Sequence, residues 1–204
     1  MKRVVYTQRV EFIESYGERR DCSDQRIAKY IKECGYIPVP IPNIPDIVEE
    51  FVDEIKPDGI VLVGGNSLVK YGGTAPERDA TDRLLLDIAV KRSIPLYGFC
   101  RGMQSILDYF GNKLITVSGH VAVMHDICGE KVSSQVNSYH NEACVDLMNT
   151  DLIVLMKAKD GVIEKIKHKN LPIVGTMWHP ERYKIFRSCD IELLKELVEG
   201  EAKT

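Results

Sequence analysis

The stretch Leu96-Tyr97-Gly98-Phe99-Cys100-Arg101-Gly102-Met103-Gln104 passes from an apolar run into a cysteine framed by glycines two residues away on either side, then into a helix-period segment. A strand that ends in Gly-x-Cys-x-Gly and reverses into a helix is the cysteine form of a nucleophile elbow. The spacing has a steric reason. The nucleophile occupies a sharp, strained turn, and glycines on both sides let the neighbouring strand and helix backbones approach closely. The sulfur of Cys100 then sits at a helix N-terminus, where free N–H groups and the helix dipole favour a thiolate. The main-chain N–H of Arg101 is placed to hold an oxyanion.

Working outward, short apolar runs alternate with helix-period segments on both sides of this turn. Residues 3–7, 36–41, 59–63 and 95–99 read as strands, with helices expected over 21–33, 47–55, 76 to about 92, and 102–110. Asp21 is the expected N-cap of the first helix, with Ile27, Ile31 and Cys34 on its apolar stripe. Leu84, Leu85, Ile88 and Ala89 are the expected core face of the third. Strand signals crowd the later chain, at 137–139, 144–145, 152–156, 162–166 and 173–177, before a last helix at 191–197. Right-handed crossovers between such strands give an α/β fold with a mostly parallel central sheet flanked by helices, flavodoxin-like, and a β-rich excursion in its second half. No repeat or linker interrupts residues 1–204, so one domain is expected.

Composition narrows the function classes. With 27 basic and 30 acidic residues the net charge of −3 gives no footprint for nucleic-acid or membrane binding. No export signal or 18-residue apolar window is visible, so the six scattered cysteines read as reduced thiols of a cytoplasmic protein. The length leaves no room for a fused synthase. His120 and His125 raise the question of a metal, but with no third ligand in view they read as rim or packing residues, and neither metal nor cofactor is expected.

A nucleophilic cysteine needs a base, and the base needs an orienting group. His179-Pro180-Glu181 follows the apolar run at 173–177. Pro180 excludes the helical region for His179, and in extended chain residues i and i+2 point the same way, so Glu181 can hold the imidazole.

Cys100, Gln104, His179 and Glu181, in this order and setting, resemble the class I glutamine amidotransferases, and the match covers most of the chain. The resemblance implies a Cys100–His179–Glu181 triad acting on a γ-glutamyl amide through a thioester, with Gly65, Asn66 and Arg101 forming the oxyanion hole. The Val136-Asn137-Ser138-Tyr139-His140 stretch is similar to one in the γ-glutamyl-GABA hydrolase branch, which together with Gln104 implies contacts to the glutamyl group. Glu142 stands where that branch usually has glutamine, and Gly111-Asn112 replaces a common Gly-Gly. The opening, with Arg9 and 18–21, is similar to relatives of bacterial surface-polysaccharide synthesis that release glutamate from a nucleotide-linked γ-glutamyl phosphoramidate. A diphosphate on the substrate calls for arginines, and Arg9, Arg19, Arg20, Arg78 and Arg101 are available. A small-molecule γ-glutamyl substrate is therefore expected. A glutaminase subunit serving a separate synthase, a silent binding scaffold and a homodimer all stay open.

Overall fold

The computed structural model describes residues 1–129, 132–148 and 151–200. In chain order its strands begin with β1 (Arg3–Tyr6) and a hairpin of β2 (Arg9–Ile13) and β3 (Glu18–Cys22), followed by helix α1 (Gln25–Glu33). Then come β4 (Ile37–Pro40), α2 (Val48–Ile55), β5 (Gly59–Leu62), α3 (Pro76–Arg92), β6 (Leu96–Phe99) and α4 (Arg101–Tyr109). The later chain adds β7 (Ile115–Thr116), β8 (Val121–Cys128), β9 (Ser133–Tyr139), β10 (Glu142–Ala143), β11 (Leu152–Ala158), β12 (Ile163–His168), β13 (Ile173–Thr176) and α5 (Ser188–Glu199).

Nine strands form one sheet in the order β4-β1-β5-β6-β13-β12-β11-β8-β9. The five strands from β4 to β13 are parallel, as the α/β reading expects, and helices cover both faces. The β-rich second half does not stand apart. It continues the same sheet through antiparallel pairings of β13, β12, β11, β8 and β9.

Each parallel strand sends alternate side chains to opposite faces, and each face has its own helices. Ile60 and Leu62 of β5 pack with Val48 and Val52 of α2, Leu85 and Leu86 of α3, and Met103 and Ile106 of α4. Val61 and Val63 pack the other way, with Ile27 and Tyr30 of α1 and Leu194 and Val198 of α5. The chain leaves β1 towards β4 on one side and then returns to β5 on the other. Such a reversal of strand order opens a crevice at the carboxyl ends of the strands, which is where open α/β sheets bind ligands.

Three readings of the sequence are corrected. Residues 21–24 are not helical: Asp21 ends in β3, where its carboxylate accepts from the Asn43 main-chain N–H at 2.8 Å and side-chain amide at 2.7 Å. The cap of α1 is Asp24, accepting from the Arg26 N–H at 2.8 Å. On α3 the buried face is Leu85, Leu86, Ile88 and Ala89, and Leu84 points outward. Residues 144–145 are not a strand, the local pairing being β10 with β7.

Candidate active site

Gly64, Cys100 and His179 lie just past the carboxyl ends of β5, β6 and β13, three adjacent strands of the parallel sheet. Cys100 has φ 52° and ψ −112°, a strained backbone for a residue with a Cβ, and it begins α4 directly. Two things force this turn. The Cys100 N–H donates to the Thr176 carbonyl at 2.8 Å, prolonging the β6–β13 pairing. The framing glycines allow close approach. A Cβ on Gly98 would lie 2.6 Å from the Gly102 carbonyl, and one on Gly102 would lie 2.0 Å from the Leu62 carbonyl oxygen.

His179 is extended, at φ −103°, as Pro180 requires. Its Nδ1 bonds Glu181 Oε1 at 2.7 Å, with both side chains buried. The Phe99 and Tyr139 rings meet the imidazole edge-on, with centroids 5.7 and 5.5 Å away. Asn137 clamps the main chain of His179, accepting from its N–H at 2.8 Å and donating to its carbonyl at 2.9 Å. Arg26 of α1 fixes the next turn by donating to the Glu181 carbonyl at 2.6 Å and to that of Tyr183. Nε2 has no hydrogen-bond partner among the described residues and is left for chemistry.

Cys100 and His179 share a boundary at Gly64. A Cβ built there would lie 2.6 Å from His179 Cε1 and 3.4 Å from Cys100 Cβ, so only glycine fits between them. Burial pulls the imidazole pKa down, but negative charge on the Cys100 sulfur and the Glu181 carboxylate push it up further, to about 9.

The 64–66 loop is shaped by positive φ at Gly65 (88°) and Asn66 (55°). Arg78 lies beneath it, fully buried, and donates to the carbonyls of Val63 at 2.7 Å, Gly64 at 3.0 Å and Gly65. In a trans peptide the N–H points opposite to the C=O. Carbonyls drawn onto Arg78 therefore turn the Gly65 and Asn66 N–H groups away from it. Asn66 fixes the loop from its other side by exchanging hydrogen bonds with the Val10 main chain at 2.9 and 3.0 Å.

The structure sorts the remaining expected site residues. Arg101 buries its guanidinium against Asp79 and Asp82 of α3, so only its main-chain N–H, at the start of α4, faces the turn. Arg78 and Arg101 are thus spent on the scaffold, as Arg19 is on Glu77 and Arg20 on Glu18. Gln104 is buried and donates to the Glu142 carbonyl at 2.8 Å. The Ser138 hydroxyl donates to the His120 carbonyl at 2.7 Å, and the His140 ring turns towards Glu164. Of the arginines expected to meet phosphate, Arg9, itself paired with Glu11, alone lines the cleft beside Gly64, Gly65, His179 and Glu181. It is joined there by Arg182, which stacks over Tyr139 at 4.1 Å. No local pattern marks the Arg182 position, because it depends on how the turn after His179 folds back.

Comparisons with known proteins identify the family. The pattern of the family described as "Glutamine amidotransferase class-I" matches residues 20–190. A γ-glutamyl-CDP-amidate hydrolase of Campylobacter jejuni is 33% identical over 195 residues, covering 93% of this chain and 94% of the relative. A γ-glutamyl-γ-aminobutyrate hydrolase of Escherichia coli O157:H7 is 25% identical over 226 residues, covering 90% of this chain and 86% of its own. In fold, the chain resembles the crystal structure described as that of a "putative gmp synthase subunit a protein" of Thermoplasma acidophilum, with a TM-score of 0.74 at 18% identity over 98% of this chain and 96% of the other. With its sequence pattern matched over most of its length and a cysteine, histidine and glutamate gathered at the sheet's carboxyl edge, the chain belongs to the class I glutamine amidotransferase family.

Proposed function

We propose that this protein hydrolyses a γ-glutamyl amide bond through a thioester on Cys100. The observation that carries the reading is the buried imidazole of His179, held by Glu181 on one nitrogen and left open on the other, beside a thiol on a strained turn. In the first half-reaction the Cys100 thiolate attacks the γ-carbonyl carbon. The oxyanion is held by N–H groups of Arg101, Gly65 and Asn66. As the C–N bond breaks, the His179 imidazolium gives its proton to the leaving nitrogen. In the second, His179 takes a proton from water, the hydroxide attacks the thioester, and glutamate leaves as the thiolate re-forms. Glu181 keeps the ring oriented throughout.

The raised pKa sets the sign of the pH dependence. An imidazole that holds its proton up to about 9 supplies a general acid below that pH and none above it. The kcat/KM profile is expected to fall on a basic limb near pH 9. Glu181→Gln removes a charge that favours the imidazolium, so its limb should move to lower pH by about one unit. An unshifted limb would detach Glu181 from the acid.

For the leaving group, the reading is a nucleotide-linked γ-glutamyl phosphoramidate. The relative at 33% identity is named for such a substrate, and the guanidinium groups of Arg9 and Arg182 at the cleft suit phosphate oxygens. The test compares kcat/KM for γ-glutamyl-CDP-amidate, γ-glutamyl-GABA and glutamine. The expected preference for the nucleotide compound is at least about 100-fold, with most of it lost in Arg9→Ala. Equal rates on all three would overturn the nucleotide reading. Preference for glutamine would point to a glutaminase.

A further inference from the structure

A second cluster of chemically potent side chains lies in the antiparallel half of the sheet, outside the cleft. His120 precedes β8, His125 lies on it, His140 follows β9 and Glu164 sits on β12. His120 and His140 are 3% exposed and Glu164 is fully buried. Three imidazole nitrogens converge on one carboxylate oxygen. Glu164 Oε1 lies 3.6 Å from His120 Nδ1, 3.4 Å from His125 Nε2 and 3.5 Å from His140 Nε2.

These separations are long for hydrogen bonds, and none of the four atoms has a hydrogen-bond partner among the described residues. The three separations from Glu164 Oε1 fit a different geometry. A tetrahedral ion with bonds of about 2.0–2.1 Å keeps its ligand atoms about 3.3–3.4 Å apart. His120, His140 and Glu164 offer ligand atoms all within 4.8 Å of one another, and His125, outside that mutual set, brings its Nε2 to 3.4 Å from the shared oxygen.

The surroundings place one proton of the cluster. His120 Nε2 lies 2.7 Å from Asp160 Oδ2, and that bond assigns its proton to Nε2. In the neutral ring Nδ1 then presents a lone pair to a buried carboxylate, a contact that turns attractive with a cation between them, whether a metal ion or a second ring proton. A carboxylate behind a ligating histidine is the usual outer support of a metal site. The His140 N–H donates to the His120 carbonyl at 3.0 Å, holding two of the ligands in register. A surface depression lined by Ser118, Gly119, His125 and Asp160 gives an ion a way in.

We infer that His120, His125, His140 and Glu164 form a four-coordinate site for a divalent transition-metal ion of the zinc class. Three imidazoles and one carboxylate suit zinc over magnesium or calcium, which prefer all-oxygen shells. With four protein ligands the site is closed and structural. It ties β8, β9 and β12 together three residues beyond Asn137, the residue that clamps His179. The sequence showed His120 and His125 without a third ligand because His140 and Glu164 join them only through sheet pairing.

The test uses the full chain, purified without a metal-affinity tag. Elemental analysis after dialysis is expected to find close to one zinc per chain. Adding ZnCl2 to chelator-stripped protein should raise Tm by about 5 °C or more, while MgCl2 should not. Glu164→Gln and His125→Ala should each lose the bound zinc and most of the Tm response. His125 is partly exposed, so His125→Ala keeps the test open if Glu164→Gln fails to fold. Wild-type protein without stoichiometric metal and without a Tm response to ZnCl2 would overturn the site. So would a folded His125→Ala variant with unchanged zinc content and response. Neither result depends on which γ-glutamyl compound is cleaved.

Discussion

Cys100→Ala is expected to lower kcat/KM for the preferred γ-glutamyl compound by about 10^4-fold or more, to the level left by binding and oxyanion contacts alone. The reason is specific to the step: no other group at the turn can form the thioester. The fold should survive, because Cys100 is a small side chain at the border of its apolar cluster and contributes one sulfur to the packing. Alanine tolerates the φ of 52° no worse than cysteine. Stopped-assay kinetics with a thermal melt on the same sample provide the check. Turnover within tenfold of wild type would remove Cys100 from the mechanism. A collapse of Tm would leave the activity loss attributable to the fold, and in that case the mass of a trapped γ-glutamyl thioester on wild-type Cys100 decides.

The opposite pattern is expected two residues later. Gly102→Ala places a Cβ 2.0 Å from the Leu62 carbonyl oxygen and 2.6 Å from its carbonyl carbon. The obstruction is main chain in the middle of a parallel sheet, held by β1 on one side and β6 on the other, so it cannot rotate away as a side-chain tip would. Relief requires α4 to lift off β5, which would also displace Cys100. A loss of at least about 3 kcal/mol follows, seen as a Tm lower by about 6–12 °C or as insoluble protein. Gly111→Ala is the control. Its φ is positive, at 77°, but nothing lies within 4 Å of its Cβ, so strain of about 1 kcal/mol is the whole expected cost. If Gly102→Ala melted like Gly111→Ala, close backbone approach would not be the reason for that glycine.

Local patterns that serve one local purpose were readable in the chain. α3 runs over Pro76–Arg92 as expected, with Pro at its first turn and Ser93 in the left-handed cap position, because both ends carry their own stop signals. The hairpin of β2 and β3 was not readable. Glu18, Arg19, Arg20 and Asp21 are all exposed and carry no apolar alternation, so no local pattern marks the strand that pairing with Arg9–Ile13 makes of them. β8 was hidden for a similar reason. Most of Val121–Cys128 is exposed, and its partners β9 and β11 lie elsewhere in the sequence.

The roles of Arg78 and Arg101 show the same divide at the site. Their residue types suit anion recognition, and single-residue chemistry cannot tell a guanidinium in a pocket from one beneath a loop. Burial decides: Arg78 is fully enclosed and holds the carbonyls of residues 63–65, while Arg101 is enclosed between two aspartates.

By itself the sequence determined the parallel α/β core, the strained turn at Cys100 and the His179–Glu181 pair. Each of these is written in residues close along the chain, where sterics and periodicity act directly. Only the tertiary structure decided that Asn137 clamps His179, that Arg9 and Arg182 share the cleft, and that three histidines meet at Glu164. Those contacts join strands far apart in sequence, and hydrogen-bond register and burial, which no local pattern encodes, bring them together.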